Sequence, residues 1–342
     1  MTVGPRIAIY GAPNGGGSLK VRVLAATMSA VLTPLFLTGC GDSTGPEGRL
    51  AWSSVANPAT WPLTGIWGTS SSDVWAVGWL GTVLHFDGAT WSRVATGTGQ
   101  DPIDVWASSP TDVWIVGTDG IISDGLGFPT IQHYDGKTWS IEASPTPGLL
   151  SAIWGSSASD VWAVGPAGAM AHYDGSSWSS VASGTTDQLS GVWGTSASDV
   201  WAVGYHTILH YDGTRWSALS NVSSFVYGVW GTSASDVWAV SSSGILHNDG
   251  GGWSSVSSSG FEPPAGPYAI WGTSRSNVWV VGTDNVNNNN VCCGKIAHFD
   301  GTSWSDISLG ATSPVVNAVW GSSASDVWAV TNDGILHGTP AG

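Results

Sequence analysis

The twelve residues WGTSASDVWAVG at 193–204 return almost unchanged at 154–165, 230–241 and 320–331, and looser copies bring the number to seven. A chain that repeats a short stretch so often cannot fold around one irregular core. Each copy has to be a unit that buries its faces only against its neighbours. The first Trp of each copy falls at Trp67, Trp106, Trp154, Trp193, Trp230, Trp271 and Trp320, at spacings of 39, 48, 39, 37, 41 and 49 residues. Periods near 40 that hold several short strands are the periods of propeller blades.

Two further Trp series run in step with the first. The DVW element gives Trp75, Trp114, Trp162, Trp201, Trp238, Trp279 and Trp328, and a WS element gives Trp91, Trp139, Trp178, Trp216, Trp253 and Trp304. The seventh WS is missing after the last copy, which stops at ILHGTPAG, whereas LAWSSV at 50–55 carries an orphan WS with Trp52. Joined, the two fragments make one complete unit. The expected fold is therefore all-β: a seven-bladed β-propeller of four-stranded blades, closed by the N-terminal strand completing the last blade. In the third copy the strands read LLSAIWG (a), DVWAVG (b), AMAHYDG (c) and SWSSV (d), Val- and Trp-rich and separated by turn residues.

Residues 1–39 have a different character. Lys20 and Arg22 precede the apolar run VLAATMSAVLTPLFL, which ends in Leu37-Thr38-Gly39-Cys40. A basic flank, a short apolar stretch and small residues describe an export signal. The segment resembles the signal of bacterial lipoproteins, which implies cleavage before Cys40 and lipidation of that residue. The expected organisation is a signal at 1–39, a linker at 40–49 and the propeller at 50–342. The protein would sit in the cell envelope, on the periplasmic or cell-surface side, with its lipid as the only contact with the membrane. Cleavage would remove Arg6, Lys20 and Arg22 and no acid, taking 9 basic residues to 6 against 24 acidic ones and the net charge from −15 to −18. Such a surface repels phosphate backbones and argues against nucleic acid as a partner. A monomer is expected.

The DVWAVG strand and the HYDGxxW element, as in HTILHYDGTRW at 206–216, resemble bacterial propellers of the Asp-box (BNR-like) and tectonin-like kinds over residues 50–337. Asp212 and Trp216 are one residue closer than an Asp-box requires. The resemblance implies the fold and leaves the function open, since propellers host lectins, scaffolds, hydrolases and lyases.

Several repeating positions suit structure better than chemistry. The series His85, His133, His172, His210, His247, His298 and His337 is expected to hydrogen-bond between blades as neutral imidazoles. Asp73, Asp112, Asp160, Asp199, Asp236 and Asp326, with Asn277 in the sixth blade, are expected to cap their turns. The Asp-Gly of the c–d turn, Asp174-Gly175 in blade 3, is expected to form a two-residue hairpin with both residues at positive φ. The Trp series are assigned to contacts between blades.

Function is then expected where the copies disagree, in the b–c loops and d–a linkers, which open on one face of a propeller. Aromatic residues outside the repeat pattern collect there: Trp61, Trp79, Phe128, Tyr205, His206, Phe225, Tyr227, Phe261 and Tyr268. Rings among Asn, Asp and Ser suit a carbohydrate, whose C–H face stacks while its hydroxyls find acceptors, and they equally suit a protein surface. Cys292 and Cys293 are adjacent in a blade 6 insertion, as a vicinal disulfide or as free thiols. No cofactor, metal ligand set or catalytic group is assigned. The expected function is non-enzymatic, lectin-like binding of envelope polysaccharide, with an envelope protein as the alternative partner and glycan hydrolysis or lyase chemistry third.

Overall fold

The computed structural model describes residues 50–119, 128–220, 222–257, 266–283, 286–287, 290–291, 293–309 and 313–340. Cys40, Phe261 and Cys292, and with them the signal, the linker and the cysteine pairing, lie outside the described residues.

Seven four-stranded antiparallel sheets form in chain order. In blade 1 the strands are Leu63–Ser70 (a), Asp73–Gly78 (b), Thr82–Phe86 (c) and Trp91–Arg93 (d). Blade 7 takes Val316–Ser323, Asp326–Thr331 and Gly334–Pro340 from the chain's end and Leu50–Val55 from its beginning as strand d. Leu50 pairs with Pro340 and Val55 with Ile335, so the joint is a full antiparallel ladder. Each a strand packs against the a strands of both neighbouring blades, and the seven form a closed inner ring. The b strand of blade 1 is buried at every position, which explains its unbroken apolar run: it lies between neighbours on both faces.

The Trp series interlock the blades in two directions. Each d-strand indole meets the b-strand indole of the preceding blade edge-on: Trp139 on Trp75, Trp178 on Trp114, Trp216 on Trp162, Trp253 on Trp201, Trp304 on Trp238, Trp52 on Trp279 and Trp91 on Trp328. All seven pairs have centroids 5.3–6.0 Å apart and ring planes inclined by 67–80°. At five junctions the a-strand indole reaches the other way, onto the glycine after the Trp of the following blade, and in blade 2, where Ala107 takes that place, Trp67 Nε1 donates to the Ala107 carbonyl at 3.0 Å. A Cβ on Gly155 would stand 2.6 Å from the Trp106 ring, and one on Gly68 would stand 2.5 Å from Trp320. Burying one such ring contributes about 4–6 kcal/mol at ~25 cal/mol/Å², against about 1 kcal/mol for a hydrogen bond. The indoles therefore carry the ring's cohesion.

The structure corrects three expectations. The histidines bond within their own blade and not between blades: Trp75 pairs with His85 across the ladder, their rings stack at 4.3 Å, and His85 Nε2 donates to Asp73 Oδ1 at 2.7 Å. The surface between blades is already occupied by indoles. The aspartates before VW do not cap their turns. Asp73 accepts from His85 on one oxygen and from Thr69 Oγ1, 2.5 Å away, on the other, so it joins strands a, b and c. Turn capping belongs to the second Asp series, where Asp174 Oδ1 accepts from the backbone N–H groups of Ser176 and Ser177, 2.9 Å from each. That c–d turn is also longer than two residues. Asp174 N–H bonds the Ser177 carbonyl at 3.3 Å, and of the pair only Gly175 has a positive φ, +89°. A Cβ at Gly175 would also stand 2.6 Å from Ser159 Cβ, so glycine is required there twice over.

Candidate binding site on the loop face

The b–c loops and d–a linkers share one face and are bonded to each other. Trp79 N–H donates to the Pro62 carbonyl at 3.1 Å, Tyr205 N–H to Gln188 at 2.8 Å and Ser242 N–H to Phe225 at 2.9 Å. His206 N–H crosses to the next linker at Ser224, 3.3 Å away. Backbone polar groups of the loops are thereby paired, which leaves side chains to define the surface.

On this face five of the nine expected residues form one continuous row of rings over blades 4, 5 and 6. His206 stacks on Tyr205 at 3.8 Å and 20°. Tyr205 is 6.0 Å from Phe225, with which it also forms a β-bridge, and Phe225 is 4.8 Å from Tyr227. Tyr227 meets Tyr268 edge-on at 5.8 Å. The outer end of the row is the open one, with Tyr205 at 46% exposure, while Phe225, Tyr227 and Tyr268 are half-buried. Burial, and then the neighbouring Tyr227, raise the Tyr268 phenol above its ordinary value, so it stays protonated and able to donate. Tyr227 and Tyr268 lie inside the a strands Val226–Ser233 and Gly266–Ser274 and not in linkers; each sits where the a–b register slips by one residue. Such a bulge re-aims one side chain out of the alternation.

The other described residues stand apart from this row. Trp61, 47% exposed, and the half-buried Trp79 belong to blade 1, and Phe128, 71% exposed, belongs to blade 2. No ring contact among the described residues links these three to the row. Cys293 has φ +66°, and its carbonyl accepts from Thr283 Oγ1 at 3.4 Å.

Two features of the site region escaped the sequence reading. Two positions before the a-strand Trp, six blades carry Gly65, Ala152, Gly191, Gly228, Ala269 and Ala318, and blade 2 carries Asp104. Asp104 Oδ1 accepts from Val105 N–H at 2.9 Å and Oδ2 from Ile153 N–H of blade 3 at 3.0 Å. Burial outweighs these two bonds and pushes its carboxyl up to about 6. Aligning the copies column by column would have exposed it. The second feature is the serine/threonine–aspartate–histidine–tryptophan relay in six of the blades. In Asp73, Asp112, Asp160, Asp199 and Asp326 burial pushes the carboxyl upward, but hydrogen bonds from the histidine and from the serine or threonine prevail and hold it below the ordinary range. Trp201 donates to Asp199 at 3.2 Å. Trp75, Trp114, Trp162 and Trp328 stop short of hydrogen-bond geometry but add to the lowering in their own blades. In blade 6 Asn277 takes the aspartate's place, and its Oδ1 accepts from His298 at 2.6 Å. Burial lowers the pKa of His298, against a smaller upward pull from Asp300.

No protein-family model and no curated protein matches the chain. Solved structures match over most of it. YCF48 from Cyanidioschyzon merolae is 16% identical at a TM-score of 0.65, covering 85% of this chain and 98% of its own. YCF48 bound to D1 peptide is similar at the same identity and TM-score, with 85% and 96% covered. A streptogramin B lyase is 14% identical at a TM-score of 0.68, with 86% and 98% covered. The xyloglucanase of Xanthomonas campestris is 13% identical at 0.65, with 84% of this chain and 53% of the enzyme covered. At these identities the likeness establishes the fold.

Proposed function

We propose that the protein binds a carbohydrate chain along the aromatic row of blades 4 to 6 and does not transform it. The continuous row His206–Tyr205–Phe225–Tyr227–Tyr268 carries this reading, because rings that touch in sequence across three blades offer several adjacent stacking surfaces. Phenol and imidazole groups, with the Ser242 hydroxyl that accepts from Phe225 N–H at 3.2 Å, supply donors and acceptors for sugar hydroxyls. Lipidation at Cys40 would hold the protein in the cell envelope. The linker of nine residues, 41–49, reaches at most about 30 Å.

A glycan array probed with the purified protein tests the reading. Specific binding that falls at least tenfold in Tyr205→Ala and in Phe225→Ala supports it, and glycan turnover by the wild type would overturn the non-catalytic part. A protein ligand is the second reading, favoured by the similarity to YCF48 bound to D1 peptide. A blank array, together with an envelope protein whose binding is lost in the same two variants, would select it.

A further inference from the structure

We infer that the glycan taken by the aromatic row is an uncharged one and that polyanionic chains such as uronates are excluded. This inference rests on the carbohydrate reading and adds the charge class of the ligand. After residue 49 the chain holds five basic residues, Arg93, Lys137, Arg215, Arg275 and Lys295, and the described residues include all of them. Arg93 ends the outer strand of blade 1. Lys137 and Arg215 lie in c–d turns and Arg275 in an a–b turn, on the face opposite the row. Lys295 lies near the loop-face end of strand c in blade 6, and it is 8% exposed with Nζ 3.1 Å from Asp306.

Among the described residues, Arg93 is exposed where strand d of blade 1 runs toward its linker, away from the row, and no exposed Lys or Arg lies in the b–c loops or d–a linkers of blades 4 to 6. The loop face does present acids: Asp119 and Asp333 are exposed and Asp187 half-buried in its loops and linkers. A chain of carboxylates laid along the row would lose hydration, gain no counter-charge and meet carboxylates of its own sign. An uncharged pyranose chain loses only hydroxyl hydrogen bonds, which the Tyr side chains and Ser242 replace. Stacking on rings is likewise insensitive to salt, whereas ion pairing is not.

The test titrates the full-length protein in detergent, at pH 8 where ordinary imidazoles are uncharged, with cellohexaose, xylohexaose, mannohexaose and hexagalacturonate, read by intrinsic fluorescence. The expected result is binding of at least one neutral hexamer, unchanged between low and high salt and weakened at least tenfold in Tyr205→Ala, with no binding of hexagalacturonate. Ser223→Lys, at an exposed linker position two residues before Phe225, is expected to admit hexagalacturonate while leaving the neutral hexamer unchanged. Hexagalacturonate binding to the wild type that is lost in Tyr205→Ala would overturn the inference and leave the carbohydrate reading standing. Neutral binding indifferent to Tyr205→Ala, or no binding of any hexamer, would overturn both.

Discussion

Asp104 gives the sharpest test of the physical reasoning, because its charge works against the fold at neutral pH. The carboxylate sits where other blades have only Gly or Ala, and its Oδ1 stands 2.9 Å from the position a Cβ would take on Gly65 of blade 1. Raised to about 6 from an ordinary value of 3.8, it binds a proton in the folded state over a range where the unfolded chain has lost it. Stability therefore falls as pH rises through that window, the reverse of the usual aspartate. The shift corresponds to about 3 kcal/mol in all, of which about 2 kcal/mol falls between pH 4.5 and 7.5. This is an upper bound, since the residue borders the inner ring and keeps partial contact with solvent. Asp104→Asn is neutral at every pH and leaves one of the two backbone N–H groups without its acceptor, a constant cost of about 1–3 kcal/mol. Urea unfolding followed by Trp fluorescence, run on both proteins at pH 4.5 and 7.5, cancels every other titrating group in the difference. Wild type should lead the variant by up to about 2 kcal/mol more at pH 4.5 than at pH 7.5. A difference that stays within about 0.5 kcal/mol across the two conditions would show that the carboxylate is not desolvated as described.

Three further outcomes follow from the same geometry. Trp52→Ala should cost about 3 kcal/mol in urea unfolding, since it removes the ring that meets Trp279, whereas the exposed Trp61→Ala should stay within about 0.5 kcal/mol. Asp160→Asn should cost about 1–2 kcal/mol at pH 7 and progressively less as pH falls below 3.8 in the same assay, because a carboxylate held below its ordinary range contributes above pH 3.8 and loses that contribution as pH falls through its folded value. Asn277→Asp should raise the pKa of His298, followed by NMR titration, and so abolish the loss of stability that wild type shows as pH falls from 6.5 toward the lowered folded pKa of this imidazole.

Much of the fold could be read from the sequence because each structural role recurs at a fixed offset. The orphan Trp52 and the missing WS after ILHGTPAG together dictated closure, and the ladder from Leu50 to Val55 is its realisation. Columns show which residues recur, however, and not which ones face each other. His85 and Asp73 were assigned the wrong partners because only the b–c register, with Trp75 opposite His85, puts the imidazole on its own blade's indole. At the site, the row needed ring-to-ring contacts between blades, which no single-strand pattern contains. Tyr227 and Tyr268 looked like linker residues because the a strand starts before the repeat becomes recognisable, and the register slip that turns them toward the loop face leaves no mark in composition.

The division of labour between ring and rim has a physical cause. At five of the seven junctions a blade is held to the next by two contacts made of identical parts: an indole on a glycine near the inner ring, and an indole edge on an indole face farther out. Each part touches its counterpart in a neighbouring blade, so a change in one copy opens a gap that the partner cannot close. Hence Trp, Gly and the relay hardly vary among the copies. The b–c loops meet the linkers through backbone hydrogen bonds, as at Tyr205 with Gln188, and those bonds do not depend on the side chain. Tyr205, His206 and Phe225 can therefore stand there without disturbing any indole pair, and Tyr227 and Tyr268 occupy the register slips at the start of their a strands, outside the indole contacts. Blade 2 shows the opposite case. A single carboxylate placed in the inner ring, at Asp104, needs two backbone N–H groups to hold it and is still pushed toward protonation. A charge placed in the inner ring is penalised and a changed side chain on the loop face is not, which is why a binding surface in this chain is to be sought on the rim.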